Sequence, residues 1–173
     1  MASPTLIVVT GRPGAGKSTL THTLAPQLRL PAICRDEIKE GLVRTGGDTA
    51  DAAKDVYEAF FAAIELFLHR RISLIAEAAF QHRLWEPKLA GLRTVADLRL
   101  IICDIPGELA ITRRQARSQA DPERERYHPD PHKHAPPGVY EPPRLDVPTL
   151  VVNCGDGYQP GIDAIVAFCS AVE

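Results

Sequence analysis

Eight consecutive residues, Gly11-Arg12-Pro13-Gly14-Ala15-Gly16-Lys17-Ser18, fill every fixed position of the pattern G-x-x-x-x-G-K-[ST]. Residues of these types at this spacing can hold a chain of phosphates. Glycines let the backbone wrap closely, so that successive N–H groups point inward. A helix starting near Lys17 adds its positive dipole end. Lys17 can reach the β- and γ-phosphates of a nucleoside triphosphate, and the Ser18 hydroxyl can ligate magnesium. The expected nucleotide contacts are therefore Gly11, Arg12, Pro13, Gly14, Ala15, Gly16, Lys17, Ser18 and Thr19, with ATP and Mg2+ as ligands. GTP in place of ATP stays open. A glycine turn that binds nothing is the bland alternative, and the strand before the turn and helix after it argue against that.

A second group of polar residues follows in Cys34-Arg35-Asp36-Glu37-Ile38-Lys39. In open α/β sheets ligands bind beyond the carboxyl ends of the strands, so Asp36 is expected to face the crevice of the glycine loop. A carboxylate there can accept a proton from a hydroxyl that attacks the γ-phosphate. It can equally be a helix N-cap, with Lys39 a solvated charge. Lys39, one turn on, shares a face with Asp36 or Arg35 and can hold an anionic substrate or orient the aspartate. Further along, Arg113, Arg114 and Arg117 lie on one expected helix, and Arg113 and Arg117, four apart, share a face.

The elements that must position these groups are legible as alternating apolar runs and helical patterns, the mark of a parallel α/β sheet. Strands are expected at Leu6–Val9, Pro31–Cys34, Leu74–Ala76, Leu98–Cys103 and Thr149–Asn153. Helices are expected over Lys17–Gln27, Asp36–Leu42, Asp55–Arg70, Leu84–Val95, Glu108–Ala120 and Ile162–Val172. The helix from Asp55 is the firmest, since Val56, Phe60, Ile64 and Phe67–Leu68 recur three or four apart. Trp85, between Leu84 and Leu89, is read as core. The expected fold is one doubly wound domain over residues 1–173, a five-stranded parallel sheet with helices on both faces.

The loop GRPGAGKST followed by CRDEIKEGL resembles the small P-loop kinases related to the kinase domain of polynucleotide kinase, chloramphenicol phosphotransferase and the zeta toxins. The likeness continues through Ala76-Glu77-Ala78-Ala79-Phe80, Cys103-Asp104-Ile105-Pro106 and the arginine-bearing helix. It implies the strand order 2-3-1-4-5 of nucleotide-kinase-like proteins, and a γ-phosphate transfer from ATP to a hydroxyl. By the same resemblance Asp36 takes the general-base position. Lys39 stands where the family commonly has arginine; it keeps the charge but loses the bidentate fork. Glu77 stands where an aspartate is usual, and is expected to support magnesium or to hold Lys39 or a substrate hydroxyl. Asp104, also at a strand end, competes for the metal role and ranks below it. Arg113 and Arg117 are implied to be lid arginines that stabilise the spreading charge of the transition state. Arg124 and Arg126 are weaker candidates for the same task. The length leaves no room for a second ATPase subdomain, and no NKxD motif of switch proteins is present.

Residues Asp121–Pro148 contain eight of the fifteen prolines and three of the six histidines, and are expected to be irregular. With the helix before it, this stretch (108–148) reads as a lid that keeps water from the phosphate. His128, His132 and His134 fit no standard ligand spacing. Tyr127 and Tyr140 can stack on a ring or simply pack, and Asn153, Gly155 and Asp156 follow the last strand, where related kinases hold adenine. Cys34, Cys103, Cys154 and Cys169 have no CxxC spacing and read as reduced thiols of a cytoplasmic protein.

The net charge of −2 in 173 residues gives no blanket attraction for nucleic acid or anionic membrane. No apolar run is long enough to span a bilayer, and the start shows no secretion signal. A hydroxyl-bearing small molecule is therefore the first expected acceptor. A polynucleotide 5′-hydroxyl is the second, and a non-kinase ATPase or nucleotide-binding regulatory protein is the rival class.

Overall fold

The computed structural model describes residues 3–47, 52–80, 82–123, 127–128 and 139–171, apart from the side chains of residues 52, 82 and 83. Its centre is strand β1 (Thr5–Gly11), where every residue after Thr5 is buried. Both of its edges are paired, so both faces of its apolar run must be covered. Strand β3 (Leu74–Glu77) lies parallel on one side and β4 (Asp97–Asp104) parallel on the other. With β2 (Ala32–Cys34) and β5 (Thr149–Asn153) outermost, the sheet has five strands in the order β2-β3-β1-β4-β5. This is the order that the resemblance implied.

Side chains alternate across the pleat, and the two faces bury separate cores. Leu6 and Val8 point to one face, where Phe60, Phe61, Ile64, Leu68, Trp85 and Leu89 pack from α3 (Ala52–His69) and α4 (His82–Leu92). Ile7 and Val9 point to the other. There they meet Leu20 and Leu24 of α1 (Lys17–Leu28), Ala110 of α5 (Gly107–Ala120) and Ile165 of α6 (Ile162–Ser170). The short α2 (Arg35–Arg44) follows β2 without a linker and packs on α3.

Differences from the sequence reading sit at element ends. β3 runs one residue further, which places Glu77 within the ladder opposite Val9 and Cys34. Helix α4 stops at Leu92, and residues 93–96 turn through short i→i−3 and i→i−4 bonds into β4. Helix α6 ends at Ser170. The carbonyl of Phe168 in its last turn and that of Ala171 just after it accept from the guanidinium of Arg99, a charge buried in β4 to 6% exposure. Residues 139–148 reach β5 without helix or strand, with Leu145 and Val147 against the core.

Trp85 is core, as its neighbours Leu84 and Leu89 suggested: its ring lies 4.8–6.3 Å from those of Tyr57, Phe60, Phe61 and Phe80. Phe60 sits at the middle of this aromatic cluster with no exposed surface. Phe60→Ala should lower the unfolding free energy by about 3–5 kcal/mol, because the cavity lies between packed rings and a sheet that cannot collapse into it. Urea denaturation measures this, and a loss below about 1 kcal/mol would show that the cluster repacks.

Candidate active site

The glycine loop leaves β1 and enters α1 through backbone that only glycine adopts easily. Gly14 and Gly16 both have φ near +89°. At Gly14 a Cβ would also lie 2.5 Å from the carbonyl oxygen of Ala110, so α5 is packed directly on the loop. Around Gly16 the space is open, with nothing closer than 3.9 Å to the Cβ position. Gly16 is the N-cap of α1 and no side chain caps it, which leaves the first-turn N–H groups directed at the loop. That combination of cradle and helix end fits a bound phosphate chain.

Lys17, 9% exposed, folds over the loop and donates from Nζ to the Arg12 carbonyl at 3.2 Å. The same ammonium lies 3.9 Å from Glu77 Oε1. Ser18 Oγ donates to Glu77 Oε2 at 2.8 Å. Glu77, only 4% exposed, thus stands between the hydroxyl and the ammonium of the loop. Burial pushes its carboxyl above the usual range; Lys17 and the Ser18 hydrogen bond oppose that shift, while Asp36 adds to it. A serine hydroxyl and a carboxylate on adjacent elements are the hard oxygen donors that magnesium takes. Asp104 has no such contact among the described residues: its backbone carbonyl accepts from Cys154 N, and it lies at the exposed end of β4.

Across the crevice, α2 starts at Arg35 with Cys34 as its N-cap, so Asp36 is inside the first turn and is not the cap. Its side chain is about half exposed and lies 3.8 Å from Arg35 Nη1. Arg35 is flattened over the Trp85 ring at 5.7 Å, and its buried Nε has no hydrogen-bond partner among the described residues. Lys39 is the third charge of this group. Its pKa is lowered by burial first and by Arg35 second, against the pull of Asp36. Asp36, Arg35 and Lys39 therefore form one electrostatic cluster, facing Glu77 from the neighbouring strand end.

The α5 arginines divide in a way that the spacing does not show. Arg113 donates from Nη1 to the Cys154 carbonyl at 2.8 Å and from Nη2 to the Gly155 carbonyl at 2.6 Å. It ties α5 to the turn after β5 while lying beside Gly16. Asn153 Oδ1 accepts from Gly155 N at 2.8 Å in the same turn. Arg114, which the i,i+4 spacing leaves out of the pair, has its Cγ 3.1 Å from the Cβ position of Gly14. Arg117, one turn after Arg113, is exposed. Arg124, Arg126, His132 and His134 lie outside the described residues.

Beyond α5 the chain returns over the crevice. His128 Nε2 lies 2.6 Å from Glu40 Oε1 on α2. The Tyr140 hydroxyl donates to the Phe80 carbonyl at 2.9 Å and is also bonded to the Thr10 hydroxyl. Burial pushes this phenol up to about 12, so it keeps its proton throughout the physiological range. Tyr140 is thereby an anchor at the C-terminal end of β1. Tyr127 is partly buried.

Comparison with known proteins agrees with this geometry. The family described as AAA domain matches residues 6–132. The solved structure of a candidate kinase from Chloroflexus aurantiacus J-10-fl is 27% identical, covers 96% of this chain and 97% of its own, and superposes with a TM-score of 0.82. A gluconokinase from Sinorhizobium meliloti 1021 shares the fold at 20% identity, with 98% and 94% coverage and a TM-score of 0.63. So does the APS kinase CysC of Mycobacterium tuberculosis, solved with AMPPNP and APS, at 16% identity, 87% and 90% coverage and a TM-score of 0.57. No curated protein matches the sequence. Among the described residues no helix is long and apolar enough to cross a membrane.

The buried Glu77 makes stability depend on pH in a definite direction. Its folded pKa is raised above the ordinary 4.5, so the native state holds the proton more tightly than the unfolded chain. Stability without magnesium should fall as pH rises from about 4.5 through the raised value, and stay level above it. Urea unfolding in EDTA should show that Glu77→Gln flattens this slope. A variant curve parallel to the parent's would show that Glu77 is not the group responsible.

Proposed function

The chain belongs to the AAA-domain family of small P-loop kinase fold, and from that premise we propose that it is an ATP-dependent phosphotransferase acting on the hydroxyl of a small molecule. The observation that carries this reading is the 2.8 Å contact of Ser18 with Glu77 beside Lys17. It completes a phosphate and magnesium site with Asp36 on the opposite wall. A loop that merely turned would have no reason to bury a carboxylate against its serine and lysine.

The residues from Gly11 to Thr19 hold the triphosphate through backbone N–H groups. Lys17 would exchange its Arg12 carbonyl partner for phosphate oxygens, and Ser18 with Glu77 would hold magnesium. A magnesium ion held there would supply positive charge against the charge that develops during transfer. Asp36 takes the proton of the attacking hydroxyl, and Arg35 and Lys39 set its orientation and bind the acceptor's polar groups. Arg113 and Arg117 stabilise the charge spreading over the moving phosphoryl group, Arg113 from a position braced on the Cys154 and Gly155 carbonyls. Helix α5, with His128 and Tyr140 fastened to the rim, forms part of the cover. The net charge of −2 and the compact cationic group at Arg35 and Lys39 favour a small acceptor over a polymer.

A γ-labelled ATP assay against pooled sugars, nucleosides, aminoglycosides and 5′-hydroxyl oligonucleotides tests the reaction and the acceptor together. Label should move to a small hydroxyl compound, and Asp36→Asn should slow that transfer by about 10²–10⁴ while nucleotide binding persists. Release of label only as free phosphate, at a rate that Asp36→Asn leaves unchanged, would identify a hydrolase instead. Lys17→Ala should abolish nucleotide binding in equilibrium dialysis, and undiminished binding would remove the premise of the site.

A further inference from the structure

One helical turn beyond Ser18, and so on the same face of α1, stands His22. Its Nε2 lies 2.8 Å from Glu37 Oε1 in the first turn of α2 and 3.8 Å from Cys34 Sγ at the end of β2. The three ligand atoms all fall within 4.8 Å of one another. Two rungs therefore cross from α1 to the strand ends: Ser18 to Glu77, and His22 to Cys34 and Glu37. The first rung is all oxygen. The second combines sulfur, imidazole nitrogen and a carboxylate.

We propose that His22, Cys34 and Glu37 form a binding site for a thiophilic divalent cation of the zinc class, separate from the magnesium position. Thiol and imidazole ligands select such an ion over magnesium or calcium, which take oxygen. Tetrahedral zinc with these donors sets ligand–ligand separations of about 3.3–3.6 Å. The observed 2.8 and 3.8 Å lie on either side of that range. The third separation, Cys34 Sγ to Glu37 Oε1, is within 4.8 Å, so shifts of up to about 1.3 Å close the triangle. They fall on His22 and Glu37, whose side chains are 55% and 53% exposed. Cys34 is buried at the base, fixed by the β2–β3 ladder. The site thus has a rigid sulfur floor and two adjustable arms, open to solvent for a fourth, water ligand. Charge points the same way. Cys34 lies beside the carboxylates of Glu37 and Glu77, so a dication at its sulfur meets negative charge from both.

Cobalt(II) titration of the reduced, metal-stripped full chain, in excess magnesium that occupies the oxygen site, tests the assignment without reference to catalysis. One equivalent should produce a sulfur-to-cobalt charge-transfer band with intense tetrahedral visible bands, both displaced by zinc. Cys34→Ser should remove the charge-transfer band. His22→Ala and Glu37→Gln, at exposed positions that folding tolerates, should each weaken cobalt binding by about tenfold or more. Cys103→Ser should leave the spectrum as it is. Weak octahedral bands alone, a charge-transfer band that survives Cys34→Ser, or binding indifferent to both His22→Ala and Glu37→Gln would each overturn the proposal.

Discussion

A carboxylate with 4% exposure is tolerated only where other groups replace its water. At Glu77 those groups are the Ser18 hydroxyl and the Lys17 ammonium, both contributed by the loop between β1 and α1. Neither would be within reach if β3 were not paired directly with β1, with Val9 opposite Glu77. The central pairing of the sheet and the polar centre of the crevice are therefore one constraint. Burial raises the carboxyl's pKa, and Lys17 and Ser18 restrain the rise.

The glycine loop is fixed from the other side by α5. Ala110 presses its carbonyl against Gly14, so the helix can approach only where no side chain stands. Arg113 then secures α5 to the turn after β5 through two carbonyls. The helix that carries Arg113 and Arg114 is in this way held at both the loop and the turn after the far strand. The crossing of Tyr140 to Thr10 and Phe80, and of His128 to Glu40, adds attachments at the ends of β1 and on α2. Packing and chemistry share the same residues here, which is why the crevice edge is more constrained than an ordinary set of loops.

Much of the architecture could be read before any coordinates. Apolar runs such as Leu6–Val9 have few other places to go than a doubly paired strand, and the i,i+4 series Val56, Phe60, Ile64 and Leu68 has one buried face. Element ends were less legible. Glu77 looks like a residue beyond a strand because it is charged, but its ladder pairing and its loop partners override that preference. The arginines show the same limit. Spacing alone grouped Arg113 with Arg117, whereas the contact of Arg114 with Gly14 depends on how closely α5 sits.

What the sequence determined by itself was the phosphate cradle, the order of elements and the identity of the charged residues near it. These rest on local physics: glycine's access to positive φ, and the periods of helix and strand. The tertiary structure decided which of those charges meet. Ser18 with Glu77, Arg113 with the Cys154 and Gly155 carbonyls, and His22 with Cys34 and Glu37 are separated by 59, about 41 and 12 or more residues along the chain. Their meeting depends on strand order and register, which sum contributions from the entire core and leave no mark at any single position.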